Sequence, residues 1–173
     1  YIKKDFAMKK LIMIGLLIST VFLSQGLLAI SWNSVGLNKA VQLDLTIVEI
    51  VQLNVNAGAG DLLITGKAGQ SQISVIAKVF AKELTNDDYT LSLKKEGDQA
   101  ILIARFNDNN YNNQRIDLEI TMPASLALLV DDRTGDISIN SVSNGLTLND
   151  RSGDIELKNI VGLVQIEDRS GDL

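Results

Sequence analysis

The sequence has no cysteine and no histidine, a single proline (Pro123), and few aromatic residues, which make up 5% of its 173 residues. Without cysteine the chain forms no disulfide, and it cannot carry the lipid anchor of a bacterial lipoprotein, which needs a cysteine. The lack of histidine does not exclude acid–base chemistry, because Asp, Glu, Lys, Arg and Tyr are all present. These absences remove several stabilising and anchoring devices but do not identify a function.

Positive charge is also scarce, since 16 Lys and Arg residues face 21 Asp and Glu residues, for a net charge of −5. The first 29 residues hold four lysines and one aspartate, so the rest of the chain is more acidic than the whole. No basic stripe is left there to contact phosphates, which argues against nucleic-acid binding.

A motif in three copies dominates the C-terminal part of the chain. Asp-Arg-Thr-Gly-Asp-Ile at Asp132–Ile137 recurs as Asp150–Ile155 and Asp168–Leu173, at intervals of 18 residues without insertion or deletion. A fixed period of this length predicts structural units that stack on copies of themselves.

Each period contains two short runs in which apolar and polar residues alternate, as in half-buried strands. The apolar positions are Ile137, Ile139, Val142, Leu146 and Leu148, then Ile155, Leu157, Ile160, Val164 and Ile166. About five buried aliphatic side chains, at roughly 1.5–3 kcal/mol each, cannot offset about 1–2 kcal/mol of backbone entropy per residue. The units must share a core, which predicts an all-β fold, a β-solenoid (parallel β-helix or roll) with 18-residue coils.

Stacked coils would place equivalent residues in exposed columns about 4.8 Å apart. The expected columns are Asp132, Asp150 and Asp168; Arg133, Arg151 and Arg169; and Asp136, Asp154 and Asp172. We interpret the motif as a type I turn, whose first Asp accepts a nearby backbone N–H and whose fourth residue is Gly. Calcium bound between the carboxylates is the alternative. Calcium-binding nonapeptide rolls, however, repeat their acidic turn in every half-coil, and Asn159–Leu163 has no carboxylate.

The N-terminal segment is typical of a secretory signal peptide. Two lysines follow Met8, an apolar run extends from Leu11 to Leu23, and small residues come next. We predict a signal peptide over residues 1–29, with residues 1–7 upstream of the true start at Met8. The alternative is an uncleaved signal anchor, because the apolar run extended to Ile30 has about the 20 residues of a membrane helix.

We treat residues 30–50 as a lead-in and residues 51–173 as one β-solenoid domain, with more irregular strands and a hairpin in its middle. The chain stops at Leu173, one residue into an expected strand, so we predict a C-terminal truncation with further coils beyond it. The polar run 107–114 is expected to be an exposed loop, either a solvated hairpin tip or a recognition loop anchored by Tyr111.

The order of these parts resembles the bacterial "putative adhesin" β-solenoid domains, a family of unknown function with tandem Ser-Gly-Asp-Ile/Val repeats. The resemblance covers roughly Val51–Leu173. It depends on the repeats Thr134–Ile137, Ser152–Ile155 and Ser170–Leu173 and on the Met122-Pro123 step. It implies a surface or envelope role and brings no set of catalytic residues.

The sequence therefore favours an exported, non-enzymatic β-solenoid in the periplasm, on the cell surface or secreted, acting as a structural or adhesion-type interaction module. No catalytic, cofactor-binding or metal-ligating residue is assigned, and no cofactor is expected. The expected partner is a surface glycan or an envelope protein, with membrane contact only through an uncleaved N-terminal anchor. The chain is expected to be a monomer or an end-to-end array.

Two alternatives to this module remain, a polysaccharide-active β-helix enzyme and a calcium-stabilised β-roll scaffold. The repetition argues against the enzyme. Catalysis by carboxyl groups needs them in distinct environments, whereas these recur once per coil in equivalent ones.

Overall fold

The computed structural model describes residues 36–82, 84–85, 87–107 and 114–173. Every helix or strand assigned within these ranges is a β-strand, which confirms the predicted all-β class. The strands are β1 (Leu37–Thr46), β2 (Gln52–Ala57), β3 (Leu62–Lys67), β4 (Gln72–Phe80), β5 (Tyr89–Glu96), β6 (Gln99–Phe106), β7 (Arg115–Pro123), β8 (Ala127–Asp131), β9 (Ile137–Asn140), β10 (Leu146–Asn149), β11 (Ile155–Lys158) and β12 (Val164–Glu167). The predicted signal peptide lies outside the described residues. A helix long and apolar enough to cross a membrane is absent from the ranges given above.

The strands form two six-stranded sheets that share one apolar core. Sheet A has the order β1-β4-β7-β3-β9-β11, and sheet B has the order β5-β6-β2-β8-β10-β12. Alternate residues of each strand point inwards; in β2, Leu53 and Val55 are buried while Asn54 between them is partly exposed. These two side chains belong to the same buried cluster as Leu62 and Ile64 of β3. The two-residue period thus places the apolar face of each sheet against the other.

Apart from β1, β4 and β5, the strands form layers, each made of one sheet B strand and the sheet A strand that follows it. The layers are β2–β3, β6–β7, β8–β9 and β10–β11, and β12 begins another. They do not follow chain order, because β2–β3 lies between β6–β7 and β8–β9. Neighbouring layers pair in parallel. Strands β1, β4 and β5 are antiparallel additions at the β6–β7 end, and β5–β6 is the hairpin expected in the middle of the chain.

The repeats pair in the register that their spacing predicts. Ile155 pairs with Ile137, and Val164 pairs with Leu146. The backbone N–H of Ile137 donates to the carbonyl of Asp154 at 2.9 Å. Residues one period apart therefore lie side by side on neighbouring strands.

The glycine of each repeat is required by the close approach of neighbouring layers. Gly135 and Gly153 have φ angles of 137° and 146°. A Cβ at Gly153 would lie 2.0 Å from the carbonyl oxygen of Gly135, and a Cβ at Gly135 would lie 2.1 Å from that of Gly60. Turn preference alone suggests Gly here, whereas the structure adds a contact between backbones that excludes any larger residue.

The last strands are only partly buried. Val164, which the repeat pattern places inside, is 41% exposed, whereas its partner Leu146 is buried. The reason is that β12 is the edge strand of sheet B and has a neighbour on one side only. Burial of Val164 was therefore wrongly expected, because no further strand of the described residues covers the outer side of β12.

Candidate functional site

A row of five aspartates crosses the outer face of sheet A. Strand register places the first four side by side, and a backbone hydrogen bond places the fifth, in the order Asp117, Asp61, Asp136, Asp154 and Asp172. Each of the first four accepts the backbone N–H of the next through Oδ1, at 3.1 to 3.2 Å. These bonds hold the carboxylates at about the strand spacing of 4.8 Å. The predicted column of Asp136, Asp154 and Asp172 is thus present, and two further members lengthen it.

The aspartate row borders a groove of about 610 Å³ on this face. The next outward-facing row over the same strands contributes Glu119, Leu63, Ser138 and Glu156. Lys78 lies at one end, where it forms an ion pair with Glu119. Leu63 is 45% exposed and is the apolar member of this row.

The charges of this groove are strongly unbalanced. Seven carboxylates line it, together with one lysine, while Arg115 and Lys158 form ion pairs with two of these carboxylates, Asp117 and Glu156. The hydrogen bond and charge of Glu119 raise the pKa of Lys78. A hydrogen bond from Lys158 lowers the pKa of Glu156. Both shifts favour the charged forms at neutral pH, so the groove presents a negative surface to solvent. We call it the acidic groove.

A second column of aspartates lies at the corner where the chain passes from sheet B to sheet A. Asp132, Asp150 and Asp168 follow β8, β10 and β12, and the equivalent positions in the β2–β3 and β6–β7 layers are Ala57 and Ala104. Asp132 is 0% exposed and Asp150 is 3% exposed. The expectation of an exposed column is therefore wrong for these two residues, because a neighbouring layer covers each of them on both sides.

These buried carboxylates have few hydrogen bonds. Oδ1 of Asp150 accepts the N–H of Arg151 at 2.7 Å, and Oδ1 of Asp168 accepts the N–H of Ser170 at 3.0 Å, as the turn interpretation predicts. Oδ2 of Asp150 and both carboxylate oxygens of Asp132 are buried without a hydrogen-bond partner in the described part of the chain. Leaving such oxygens unpaired is costly, on the order of 1–3 kcal/mol for a neutral group and more for a charged one.

Burial disfavours the charged forms of both residues. It raises the pKa of Asp132 to about 7, and the charge of Asp150 acts in the same direction. The backbone N–H of Arg133 opposes this shift without reaching the geometry of a full hydrogen bond. Burial likewise raises the pKa of Asp150, against the N–H groups of Arg151 and Ser152.

A cavity of about 380 Å³ opens beside this column. Its lining residues are Asp131, Asp132, Asn149, Asp150, Arg151, Glu167, Asp168 and Arg169. Two members of the predicted arginine column, Arg151 and Arg169, thus border the buried carboxylates, and all three arginines of that column are exposed. Within residues 36–82, 84–85, 87–107 and 114–173, no three acidic side chains lie close enough together to hold one metal ion. We call this space the corner cavity.

The Asn-rich loop is described only at its ends. The N–H of Asn107 donates to the carbonyl of Asp88 at 2.8 Å, and its side-chain amide donates to the carbonyl of Asp87 at 2.9 Å. The base of the loop is therefore tied to the segment before β5. Tyr111, the predicted anchor of a recognition loop, lies outside the described residues.

Sequence reasoning missed Asp117 and the burial of Asp132. Asp117 follows Arg115-Ile116 rather than Ser-Gly, so only the pairing of β7 with β3 reveals its place in the row. The burial of Asp132, in contrast, could have been predicted from the sequence. Aligning Asp61 with Asp136 places Ala57 opposite Asp132, and alanine at that point indicates an inward position.

Comparisons with known proteins identify the fold. The family model described as Toastrack DUF4097 matches residues 18–173. The structure of a "putative cell adhesion protein" from Clostridium sporogenes is similar, with a TM-score of 0.54 and 15% identity over 75% of this chain and 68% of that one. No curated protein matches the chain.

Weaker similarity extends to two other solved structures. A "putative adhesin" from Bacteroides fragilis has a TM-score of 0.38 and 15% identity over 75% of this chain and 56% of that one. A "putative lipid binding protein" from Parabacteroides distasonis has a TM-score of 0.35 and 10% identity over 75% of this chain and 61% of that one.

Proposed function

Since the chain belongs to the Toastrack DUF4097 family, we propose that it is an exported surface-interaction module that binds its partner in the acidic groove. The similar structure from Clostridium sporogenes carries a cell adhesion name, which supports an adhesion-type role. We also propose that the layers β8–β9 and β10–β11 are 18-residue coils of a β-solenoid. The parallel pairing of Ile137 with Ile155 and of Leu146 with Val164 supports this proposal.

The row of five hydrogen-bonded aspartates carries the proposal. Four of its carboxylates accept backbone N–H groups, so little side-chain entropy is lost when a partner binds. A row of negative charges attracts a partner that presents positive charges, and complementarity of this kind gives specificity and fast association. The exposed Leu63 adds a contact for the apolar stem of a lysine or arginine. The partner that fits best is a basic, extended segment of an envelope protein.

The module is proposed to be non-enzymatic. Asp61, Asp136 and Asp154 occupy equivalent places with equivalent hydrogen bonds, whereas acid–base catalysis needs carboxyl groups whose pKa values are driven apart. A polysaccharide lyase or hydrolase is the second candidate. Turnover of a surface polysaccharide by the full chain, lost when one acidic residue of the groove is replaced, would establish that activity instead.

The binding proposal is tested with a double variant, Asp136→Asn with Asp154→Asn, and with a synthetic octalysine peptide as the probe. Asparagine keeps the acceptor oxygen of each side chain but removes its charge. We expect the full chain to bind the peptide with an affinity that falls as salt is raised, and the double variant to lose about tenfold or more. The matched control is Asp98→Asn, an exposed aspartate outside the groove, which should leave the affinity unchanged.

Two results would contradict this assignment. One is equal peptide affinity for the double variant and the Asp98→Asn control, which would place the binding elsewhere on the acidic surface. The other is binding of an uncharged surface glycan that does not change with salt and is equal in the double variant and in Asp98→Asn. That result would make the glycan the partner.

A further inference from the structure

The corner cavity contains buried carboxylate oxygens that the protein itself leaves without partners. Both oxygens of Asp132 and Oδ2 of Asp150 are unpaired in the described residues, and the two side chains are 0% and 3% exposed. Packing does not require a carboxylate there, because Ala57 fills the equivalent position one layer away. When it is ionised, a carboxylate pair that is buried, unpaired and dispensable for packing is stabilised by a positively charged occupant.

We propose that Asp132 and Asp150 bind a calcium ion between neighbouring layers, at the corner where sheet B passes into sheet A. This site is separate from the acidic groove and does not depend on the function proposed for that groove.

The layer spacing suits calcium. Equivalent residues on neighbouring parallel strands are about 4.8 Å apart, and calcium–oxygen distances are about 2.3–2.6 Å. An ion midway between the two carboxylates therefore reaches both without a change in the layer spacing. Magnesium requires shorter distances of about 2.0–2.1 Å, so it fits this gap less well. A shared proton would require the two carboxyl groups to approach within hydrogen-bond distance, and they form no such bond.

The remaining ligands are oxygen atoms of the kinds that calcium prefers. Asn149, Glu167 and Asp168 line the same cavity, and its volume of about 380 Å³ leaves room for water. Because no three acidic side chains of the described residues already converge on one point, water and amide or carbonyl oxygens must complete the coordination. Arg151 and Arg169 also line the cavity and are exposed to solvent.

The position also explains why the site is confined to the repeats. The alanines Ala104 and Ala57 precede Asp132 in the same column, so carboxylates begin at the β8–β9 layer. The pair formed by Asp150 and Asp168 is the next such position, but Asp168 is partly exposed and its Oδ1 is already hydrogen-bonded. The first calcium ion is therefore held by Asp132 and Asp150.

The experiment is thermal unfolding of the full chain at pH 8 in chelator, in calcium chloride and in magnesium chloride, with isothermal titration calorimetry for stoichiometry. A ligand that binds only the folded state raises Tm. We expect calcium to raise Tm by at least roughly 4 °C and magnesium to raise it by less. In Asp132→Asn the calcium shift should disappear, while Tm in chelator should stay equal or rise because a buried charge has been removed.

Asp154→Asn is the matched control, since it removes a carboxylate from the exposed row and should keep the calcium shift. If Asp132→Asn does not unfold cooperatively, Asp150→Asn serves the same purpose. The absence of a calcium shift in the unmodified chain, the same shift in Asp132→Asn, or an equal effect of magnesium would overturn the proposal. Binding of the octalysine peptide should be unchanged in Asp132→Asn, so failure of the calcium site is distinguishable from failure of the groove.

Discussion

The two aspartates of the first repeat, Asp132 and Asp136, have the same chemical type and opposite environments. Asp136 is exposed and its carboxylate accepts the N–H of Asp154, so the charged form is hydrogen-bonded in water. Asp132 lies four residues earlier, is fully buried and has no hydrogen-bond partner among the described residues. The difference follows from the strand geometry, which places one aspartate on the outer face of sheet A and the other at the inner corner.

The burial of Asp132 makes stability depend on pH. Folding raises the pKa of Asp132 from its ordinary value of 3.8 to about 7. Between pH 3.8 and about pH 7, the folded state therefore holds a proton that the unfolded state has released. The charged form of Asp132 therefore destabilises the folded state above pH 7. The free energy of unfolding should rise as pH falls from 8 towards 4, because Asp132 takes up a proton. At about 1.4 kcal/mol per pKa unit the contribution is on the order of 4 kcal/mol.

Urea unfolding in the presence of a chelator measures this dependence. The quantity to compare is the difference between the unmodified chain and Asp132→Asn at each pH, because other carboxylates shift in the opposite sense. Hydrogen bonding to Lys158, for example, lowers the pKa of Glu156. We expect the variant to be the more stable protein at pH 8 and the advantage to vanish near pH 4. A difference that is constant over this range would mean that Asp132 titrates normally.

Individual strands were predictable where a local pattern marks them. The pairing of β9 with β11 follows from the repeat length and the alternation at Ile137 and Ile139. The lead-in was less informative. It contains β1, which pairs with β4 along its length, because the weak alternation at Val41, Leu43 and Leu45 becomes an edge strand only when β4 is beside it.

Strand β11 tests the assignment of inward positions. Ile155 is 5% exposed and pairs with Ile137, so Ile155→Asp buries a charge without a partner in the shared core. We expect a loss of about 3 kcal/mol or more in the free energy of unfolding, measured by urea denaturation.

Ser152→Ala is the control in the same repeat, because Ser152 is exposed and its substitution should cost less than about 0.5 kcal/mol. Similar losses in the two variants would show that Ile155 does not belong to the shared core.

The arrangement of the layers was not predictable from local pattern. The chain builds β2–β3 first and then adds β6–β7 on one side and β8–β9 on the other. No residue between Gln52 and Lys67 indicates that β2–β3 will lie in the middle. The pairing of Ala57 with Ala104, for example, depends on a segment that comes 47 residues later in the chain. The 18-residue repeat predicts that β8–β9 and β10–β11 stack on each other. The position of the non-repeating layers β2–β3 and β6–β7 depends instead on which sheet edges are free to pair.

This arrangement predicts where the whole molecule is most stable. Strands β2 and β3 have parallel neighbours on both sides, so their amide protons exchange only when the layers separate. Strands β1, β5, β11 and β12 are sheet edges with one neighbour each and should open locally at low free energy. In native-state hydrogen exchange followed by mass spectrometry, we expect Leu53–Val55 and Leu62–Ile64 to be the slowest described segments. Protection should decrease from β8 through β10 to β12, because each step towards that edge leaves fewer layers to break. Equal protection of β12 and β3 would mean that the edge is covered in solution, and slower exchange in β9 than in β3 would contradict the central position of the β2–β3 layer.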